Sequence, residues 1–203
     1  MPVWQGLYEE LGPRGLVLIA ISLDEDLVAA RACAREETTV PLTYPVLVDR
    51  DHAWAEAYGV INVPTTIWID EHDRIVRPPS IAPADDKFIE FTKFSAEPHH
   101  DALRQWVLED VAPMADTEIQ DRRNPPDPQL QLARAERRLA MYLLRAGHEE
   151  LGHTHLGRAL ELAPDDWTIQ RGSMPARGKD PFGQDFFDFY QRREAAGRPG
   201  YDA

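Results

Sequence analysis

The run Leu16-Val17-Leu18-Ile19-Ala20-Ile21 constrains this chain more than any other stretch. It is apolar throughout, has the length of a strand, and is stopped on its N-terminal side by Gly12-Pro13-Arg14-Gly15. Such a run reads as a β-strand covered on both faces, the kind that parallel sheets of α/β domains contain. Ahead of it, Val3, Trp4, Leu7, Tyr8 and Leu11 recur with helical spacing, and a second helix is predicted from Asp24 to about Glu37. Pro45-Val46-Leu47-Val48-Asp49 reads as a short strand, and Asp51 to Tyr58 as a short helix ended by Gly59. Thr65-Thr66-Ile67-Trp68-Ile69-Asp70 is β-rich, Glu71-His72-Asp73 turns the chain, and Arg74-Ile75-Val76 returns as a hairpin partner. A helix from about His99 to Val111 closes the region. This order of helices and strands predicts a mostly parallel sheet with helices on both faces.

Charge and cysteine usage narrow the chemistry. The formal net charge is −13 and the pI about 4.9, a field that repels phosphate backbones and anionic lipid. The densest basic cluster, Arg134 with Arg137 and Arg138, shares a predicted helix with Glu136 and reads as a solvated face. Neither a nucleic-acid nor a membrane partner is expected. No apolar run approaches the roughly 18–20 residues that cross a bilayer. The opening Met1-Pro2-Val3-Trp4-Gln5 has no basic segment leading into an apolar core, so a cytoplasmic placement is expected. One cysteine, Cys33, cannot form an internal disulfide or a structural zinc site. It lies in an apolar-periodic helix with Leu27, Val28, Ala29 and Ala32, and reads as a packing residue.

Several motifs together carry a family resemblance. Tyr44-Pro45-Val46-Leu47-Val48-Asp49, Ala57-Tyr58-Gly59-Val60, Val63-Pro64-Thr65-Thr66, and Ile69-Asp70 ahead of Arg74-Ile75-Val76 occur in that order. Ile19-Ala20-Ile21-Ser22-Leu23-Asp24 adds a strand-to-helix junction. The combination resembles the redoxin branch of the thioredoxin-like superfamily, of TlpA/ResA and AhpC/TSA type, over residues 1–112. In that family the proline matching Pro64 follows a cis peptide bond, which for X–Pro costs only about 0.5–1 kcal/mol over trans. The resemblance implies a groove for an extended protein segment at Val63, Pro64 and Thr65.

The resemblance also implies what this chain does not contain. Redox-active relatives have a strand, then a Cys-x-x-Cys pair at the start of the first long helix, and that helix continues into a segment like Met1-Pro2-Val3-Trp4. The pair would therefore fall a few residues before Met1, and no catalytic residue is assigned within the chain. By the same resemblance the first central strand is absent from the chain. Leu16–Ile21 and Thr66–Asp70 would then each face a gap with unpaired backbone. Upstream sequence, another segment or chain in the slot, or a rearranged sheet would each resolve this. Two functions follow. One is a non-catalytic module that binds a protein partner or its own copy. The other is a thiol–disulfide oxidoreductase or peroxiredoxin-like antioxidant enzyme whose active-site segment lies upstream.

Beyond the hairpin, residues 77–98 read as an insert in which Phe88, Phe91 and Phe94 share one face of a short helix. Residues 113–127 read as a linker, polar and proline-rich toward its end. Residues 128–166 form a helical hairpin, one helix defined by Leu132, Ala135, Leu139, Tyr142 and Leu143, the other by Leu151, His155, Leu156, Ala159 and Leu160. Leu139, Ala140, Leu143, Gly147, Gly152, Leu156, Ala159 and Pro164 resemble the spacing of one tetratricopeptide repeat, implying a small all-α extension. A single such pair cannot bury its face alone. Residues 167–203 form a tail in which Phe182, Phe186, Phe189 and Tyr190 share a helical face, with Trp167 upstream and Tyr201 downstream, expected to dock on the body. Glu149 with His153, His148 with His155, and His99 with His100 lack a third ligand at a diagnostic spacing. Neither a metal nor another cofactor is expected.

Overall fold

The computed structural model describes residues 2–24, 26–35, 38–87, 89–92, 94–122 and 127–197, with the side chains of 91 and 92 excepted. The chain divides into two compact units, Met1–Arg123 and Asn124–Ala203. The first contains α1 (Pro2–Leu11), β1 (Ala20–Ser22), α2 (Leu27–Arg35), β2 (Val46–Val48), α3 (Ala53–Ala57), β3 (Thr65–Ile69), β4 (Ile75–Ile81), α4 (Ile89–Thr92), α5 (Glu97–Glu109) and α6 (Asp116–Asp121). The second contains α7 (Pro128–Arg145), α8 (Glu149–Leu162), α9 (Trp167–Gly172) and α10 (Gln184–Ala195).

The first unit mixes helix and strand, but its strands do not form the single, mostly parallel sheet expected. β1 and β2 pair in parallel, β3 and β4 pair antiparallel, and the two ladders are not joined. Of the Leu16–Ile21 run, only Ala20 and Ile21 enter a strand. Val17 is 77% exposed, and Ile19 and Ile21 are exposed as well. The expectation of a strand covered on both faces fails because side chains along the run stay exposed to solvent; among the described residues β1 also has a ladder neighbour on one edge only.

What closes this unit is an apolar cluster between α1, α5 and the β3–β4 hairpin. Leu7, Leu11, Trp68 and Leu103 are buried together, flanked by Trp4, Leu16, Val76 and Trp106. The indoles of Trp68 and Trp106 stack at 5.3 Å and 14°. Gln5, also buried, ties α1 to the chain ahead of β2: its Oε1 accepts the Thr43 N–H at 2.9 Å and its Nε2 donates to the Thr43 hydroxyl at 2.9 Å. β4 runs further than the hairpin expected at Arg74-Ile75-Val76, continuing through Pro78 and Pro79. One of two register shifts against β3, between Ser80 and Arg77, accommodates these residues, which cannot donate to a regular ladder. The insert therefore starts later than Arg77. Of its three phenylalanines, Phe88 and the Phe91 side chain lie outside the described residues, and Phe94 is half-buried. The segment 113–127 contains α6, which packs on β4.

Cys33 is exposed on α2, correcting its reading as a packing residue. The helix buries Ala30.

The second unit is all helical. Asp127 caps α7 by accepting the Leu130 N–H at 2.8 Å, and Asp166 caps α9 through Ile169 N–H at 2.9 Å. The inward face of α7 is not the apolar one read from sequence. Ala133, Glu136, Arg137 and Ala140 are buried, while Leu132, Leu139 and Tyr142 are exposed, Tyr142 at 63%. Ala133 packs there with Ala159, Ala163 and Ile169, and polar bonds join the same face to its neighbours. Glu136 accepts from His155 Nδ1 at 2.6 Å and from Arg158 at 3.0 Å, and Arg137 donates to the Gly172 carbonyl at 3.1 Å. On the other side, Phe186 and Phe189 of α10 pack with Trp167 and Met174. Phe182 precedes the helix and is exposed, with the Arg171 guanidinium 4.8 Å from its ring. Tyr201 lies outside the described residues.

Close helix approach in this unit sets a stability prediction. A Cβ on Gly152 would fall 2.6 Å from Leu144 Cγ and 3.2 Å from its backbone nitrogen, whereas one on Gly157 meets open space. Gly152→Ala should destabilise the second unit by about 1–3 kcal/mol through overpacking. Gly157→Ala should stabilise it by up to about 1 kcal/mol through helix propensity. Urea unfolding followed by circular dichroism checks both signs.

Candidate functional site

The segment from α3 into β3 is fixed from both ends. Asp49, buried at the end of β2, accepts the Ala53 N–H at 3.0 Å through Oδ1 and the Ala55 N–H at 2.9 Å through Oδ2. Those two bonds hold the first turn of α3, where amides have no helical partner. His52 Nε2 lies 2.8 Å from the Leu23 carbonyl, linking the start of α3 to the end of β1. After α3, Gly59 adopts φ 71°, a left-handed conformation glycine tolerates without steric cost, and Val60 N–H returns to the Ala55 carbonyl.

The chain then reaches the three residues singled out from sequence. The Val63–Pro64 peptide is cis. Buried Asn62 accepts the Val63 N–H through Oδ1 at 2.9 Å, and the Thr65 hydroxyl donates back to the Asn62 carbonyl at 2.6 Å. The Pro64 carbonyl accepts from Ala82 N–H at 3.0 Å, so its far side is anchored to the end of β4. Val63 itself is 61% exposed. The structure thus sets Val63, Pro64 and Thr65 as one short, internally bonded entry to β3.

Behind that entry is a polar and aromatic wall that the sequence reading did not connect to it. The Thr66 hydroxyl meets His99 Nε2 at 3.1 Å and accepts from Trp68 Nε1 at 3.2 Å. Trp4 stands edge-on to both His99 and His100, with ring centroids 5.9 and 5.6 Å away. Arg77 lies 4.8 Å over the Trp68 ring. Burial, then the nearby Arg77 charge and His100, push His99 down to about 3, so its imidazole is neutral. His100 is lowered too, by burial first and the Arg104 charge second. The side-chain atoms Asn62 Nδ2, His99 Nδ1 and His100 Nε2 are buried without a hydrogen-bond partner among the described residues. The His99-His100 pair was visible in the sequence, but its place behind Thr66 depends on α5 folding back onto β3.

A separate apolar feature lies on α3. Trp54, 58% exposed, stacks on Tyr58 at 5.8 Å and 16°. Among the described residues no group of three or more His, Cys, Asp or Glu side chains is arranged to hold a metal ion.

The AhpC/TSA family model matches residues 1–77, which include α1, both strands of the parallel ladder and the Val63–Thr65 entry. Over those residues the chain is similar to the AhpC/TSA family of thioredoxin-like redoxins. The chain is 35% identical over 78 residues to the thiol-disulfide oxidoreductase ResA of Halalkalibacterium halodurans, an alignment covering 38% of this chain and 42% of that protein. It is 29% identical over 77 residues to the thiol-disulfide oxidoreductase ResA of Bacillus thuringiensis subsp. konkukian, covering 38% of this chain and 43% of the relative. The chain thus spans about two fifths of the length of the curated relatives it matches. No solved structure matches the chain. Among the described residues no helix is long and apolar enough to cross a membrane.

The depressed His99 gives a pH prediction. Between its ordinary 6.5 and about 3, the unfolded chain takes up a proton at His99 that the folded chain refuses. Its contribution to stability is complete above pH 6.5 and is lost as pH falls through that window, at up to about 1.4 kcal/mol per pH unit. Urea unfolding at pH 7 and pH 4.5 should show the wild type losing on the order of 2 kcal/mol more than His99→Gln, since the glutamine takes up no proton.

Proposed function

We propose that the redoxin region is a non-catalytic protein-interaction module in which the surface at Val63, Pro64 and Thr65 receives an extended segment of a protein partner. The observation that carries this reading is the exposure of Val63 on an otherwise firmly held entry to β3. A strand entry of this kind lets main-chain bonding supply affinity and side-chain pockets supply selectivity. The chain's one cysteine, on α2, leaves no internal pair for dithiol exchange. A reducing, cytoplasmic setting fits that cysteine usage. In this reading the α7–α8 pair is a tetratricopeptide-like appendage, and self-association is the runner-up to a foreign partner.

A second reading has a specific support, the matches to thiol-disulfide oxidoreductases. In it the same surface presents a substrate disulfide to a cysteine pair encoded ahead of Met1. A Cys-x-x-Cys in the preceding reading frame would decide for this reading.

Two measurements on the 203-residue chain test the first reading. In dithiothreitol-driven insulin reduction, the chain should give no turnover above the uncatalysed rate, and Cys33→Ser should be indistinguishable from it. Turnover that disappears in Cys33→Ser would reverse the reading. With alkylated insulin B chain as an unstructured, thiol-free probe, Val63→Asp should weaken binding about tenfold, about 1.4 kcal/mol. Fluorescence anisotropy reads the binding, and circular dichroism verifies that the variant is folded.

A further inference from the structure

In the second unit, exposed apolar side chains gather on one side of the α7–α8 pair. Leu132, Leu139 and Tyr142 of α7 and Leu151 of α8 are all exposed. With exposed Ala135 between them, the α7 residues are spaced by three, four and three, the steps with which one helix packs its side chains against another. At 3.6 residues per turn they cover roughly 80° of the helix surface.

This stripe is not the face that α7 buries, which bears Ala133, Glu136, Arg137 and Ala140. It borders that face on the side of Glu136, whose carboxylate accepts from His155 at 2.6 Å and from Arg158 at 3.0 Å, both on α8. Leu151 precedes His155 by four residues and so shares its side of α8. Two packed helices leave a groove along each side. On this side the α7 stripe forms one wall, Leu151 stands on the other, and the buried Glu136 cluster lies at the floor. The rim is basic. Glu136 is the one acidic residue of α7, against Arg134, Arg137, Arg138 and Arg145. Arg137 is buried, and the other three lie beside the stripe on the edge away from α8. Arg158 adds an exposed cation across the groove. The second unit as a whole contains 12 acidic against 11 basic side chains, so this one-signed rim is local.

We propose that this groove receives an amphipathic α-helix of a protein partner, one with apolar anchors at heptad spacing and acidic side chains along its flanks. The anchors bury the stripe and Leu151, and the carboxylates meet the arginine rim. Charge selects this occupant over two others. A second copy of the chain would bring the same arginines to the same rim. An anionic lipid surface would have to approach a chain of net charge −13. The groove is distinct from the Val63 surface and does not depend on the reading of that surface.

The probe is a fluorescein-labelled peptide of three heptads with leucine at the seam and glutamate at the flanks, whose copies repel one another. Fluorescence anisotropy with the full chain should show saturable binding. The same peptide with lysine in place of glutamate should bind at least tenfold more weakly. Leu139→Asp, at an exposed position, should weaken the glutamate peptide at least tenfold with an unchanged circular dichroism spectrum. Arg138→Glu combined with Arg145→Glu should reverse the preference, so that the lysine peptide binds the more tightly, a gain that damage to the fold would not produce. Val63→Asp should leave both affinities unchanged. No saturable binding of the glutamate peptide, equal binding of the two peptides, or indifference to Leu139→Asp would each overturn the proposal. So would a dimer of the free chain in sedimentation equilibrium that Leu139→Asp dissolves, which would assign the face to a second copy. Flotation with phosphatidylserine vesicles that Leu139→Asp abolishes would overturn it in favour of lipid.

Discussion

Trp68 is the side chain on which the first unit depends. It joins β3 to α1 and α5 by burial with Leu7, Leu11 and Leu103, to α5 again by stacking on Trp106, and to the polar wall by its bond to Thr66. A ring of this size buries on the order of 150–250 Å², which is a large share of what so small a cluster provides. The strand pairs contribute less continuity, since the parallel and antiparallel ladders are separate. Helix-to-hairpin packing, and not an unbroken sheet, holds α1, α5 and β3 in register. The exposed entry at Val63 can therefore remain firm although β1 has an open edge.

The parts legible from sequence are those set by local chemistry. Gly59 takes the left-handed conformation that a helix stop calls for, Asp127 accepts an N-terminal amide of its helix, and the Val63–Pro64 bond has the isomer that the resemblance implies. The parts that were not legible depend on partners distant in the chain. Leu16–Ile21 reads as a doubly covered strand, but a run of apolar residues cannot report whether other elements pack against both of its faces. The α7 face is misread for a related reason. Leu132, Leu139 and Tyr142 have the right period, yet the buried face is the one on which Ala133 packs with Ala159 and Ile169 and on which Glu136 and Arg137 find partners on α8 and at Gly172. Cys33 follows the same pattern: its helix shows apolar spacing, but the face that is buried is the one bearing Ala30.

At the candidate site, sequence located the entry and missed its support. Val63-Pro64-Thr65 is contiguous and carries a proline, which makes it visible. Thr66, His99 and Trp68 are ordinary residue types whose relation exists only after α5 returns to β3 across about thirty residues. The capping of α3 by Asp49 is intermediate: the aspartate belongs to a recognisable motif, but its bonds to Ala53 and Ala55 were not read from it.

The wall behind the entry is expensive to keep. A buried donor or acceptor without a partner costs about 1–3 kcal/mol, and Asn62 Nδ2, His99 Nδ1 and His100 Nε2 are three such atoms among the described residues. His99 stays neutral because burial and the Arg77 charge both disfavour its proton. What offsets these costs is the adjoining aromatic core of Trp4, Trp68 and Trp106, in which Trp4 meets both imidazoles edge-on and Trp68 meets that of His99. Core and site are thus one energetic unit. Truncating Trp68 would remove the group that donates to Thr66 and would open the space in which His99 is held neutral. Its effects would reach the entry at Val63 through the Thr66 and Thr65 backbone, without any contact between Trp68 and a bound partner.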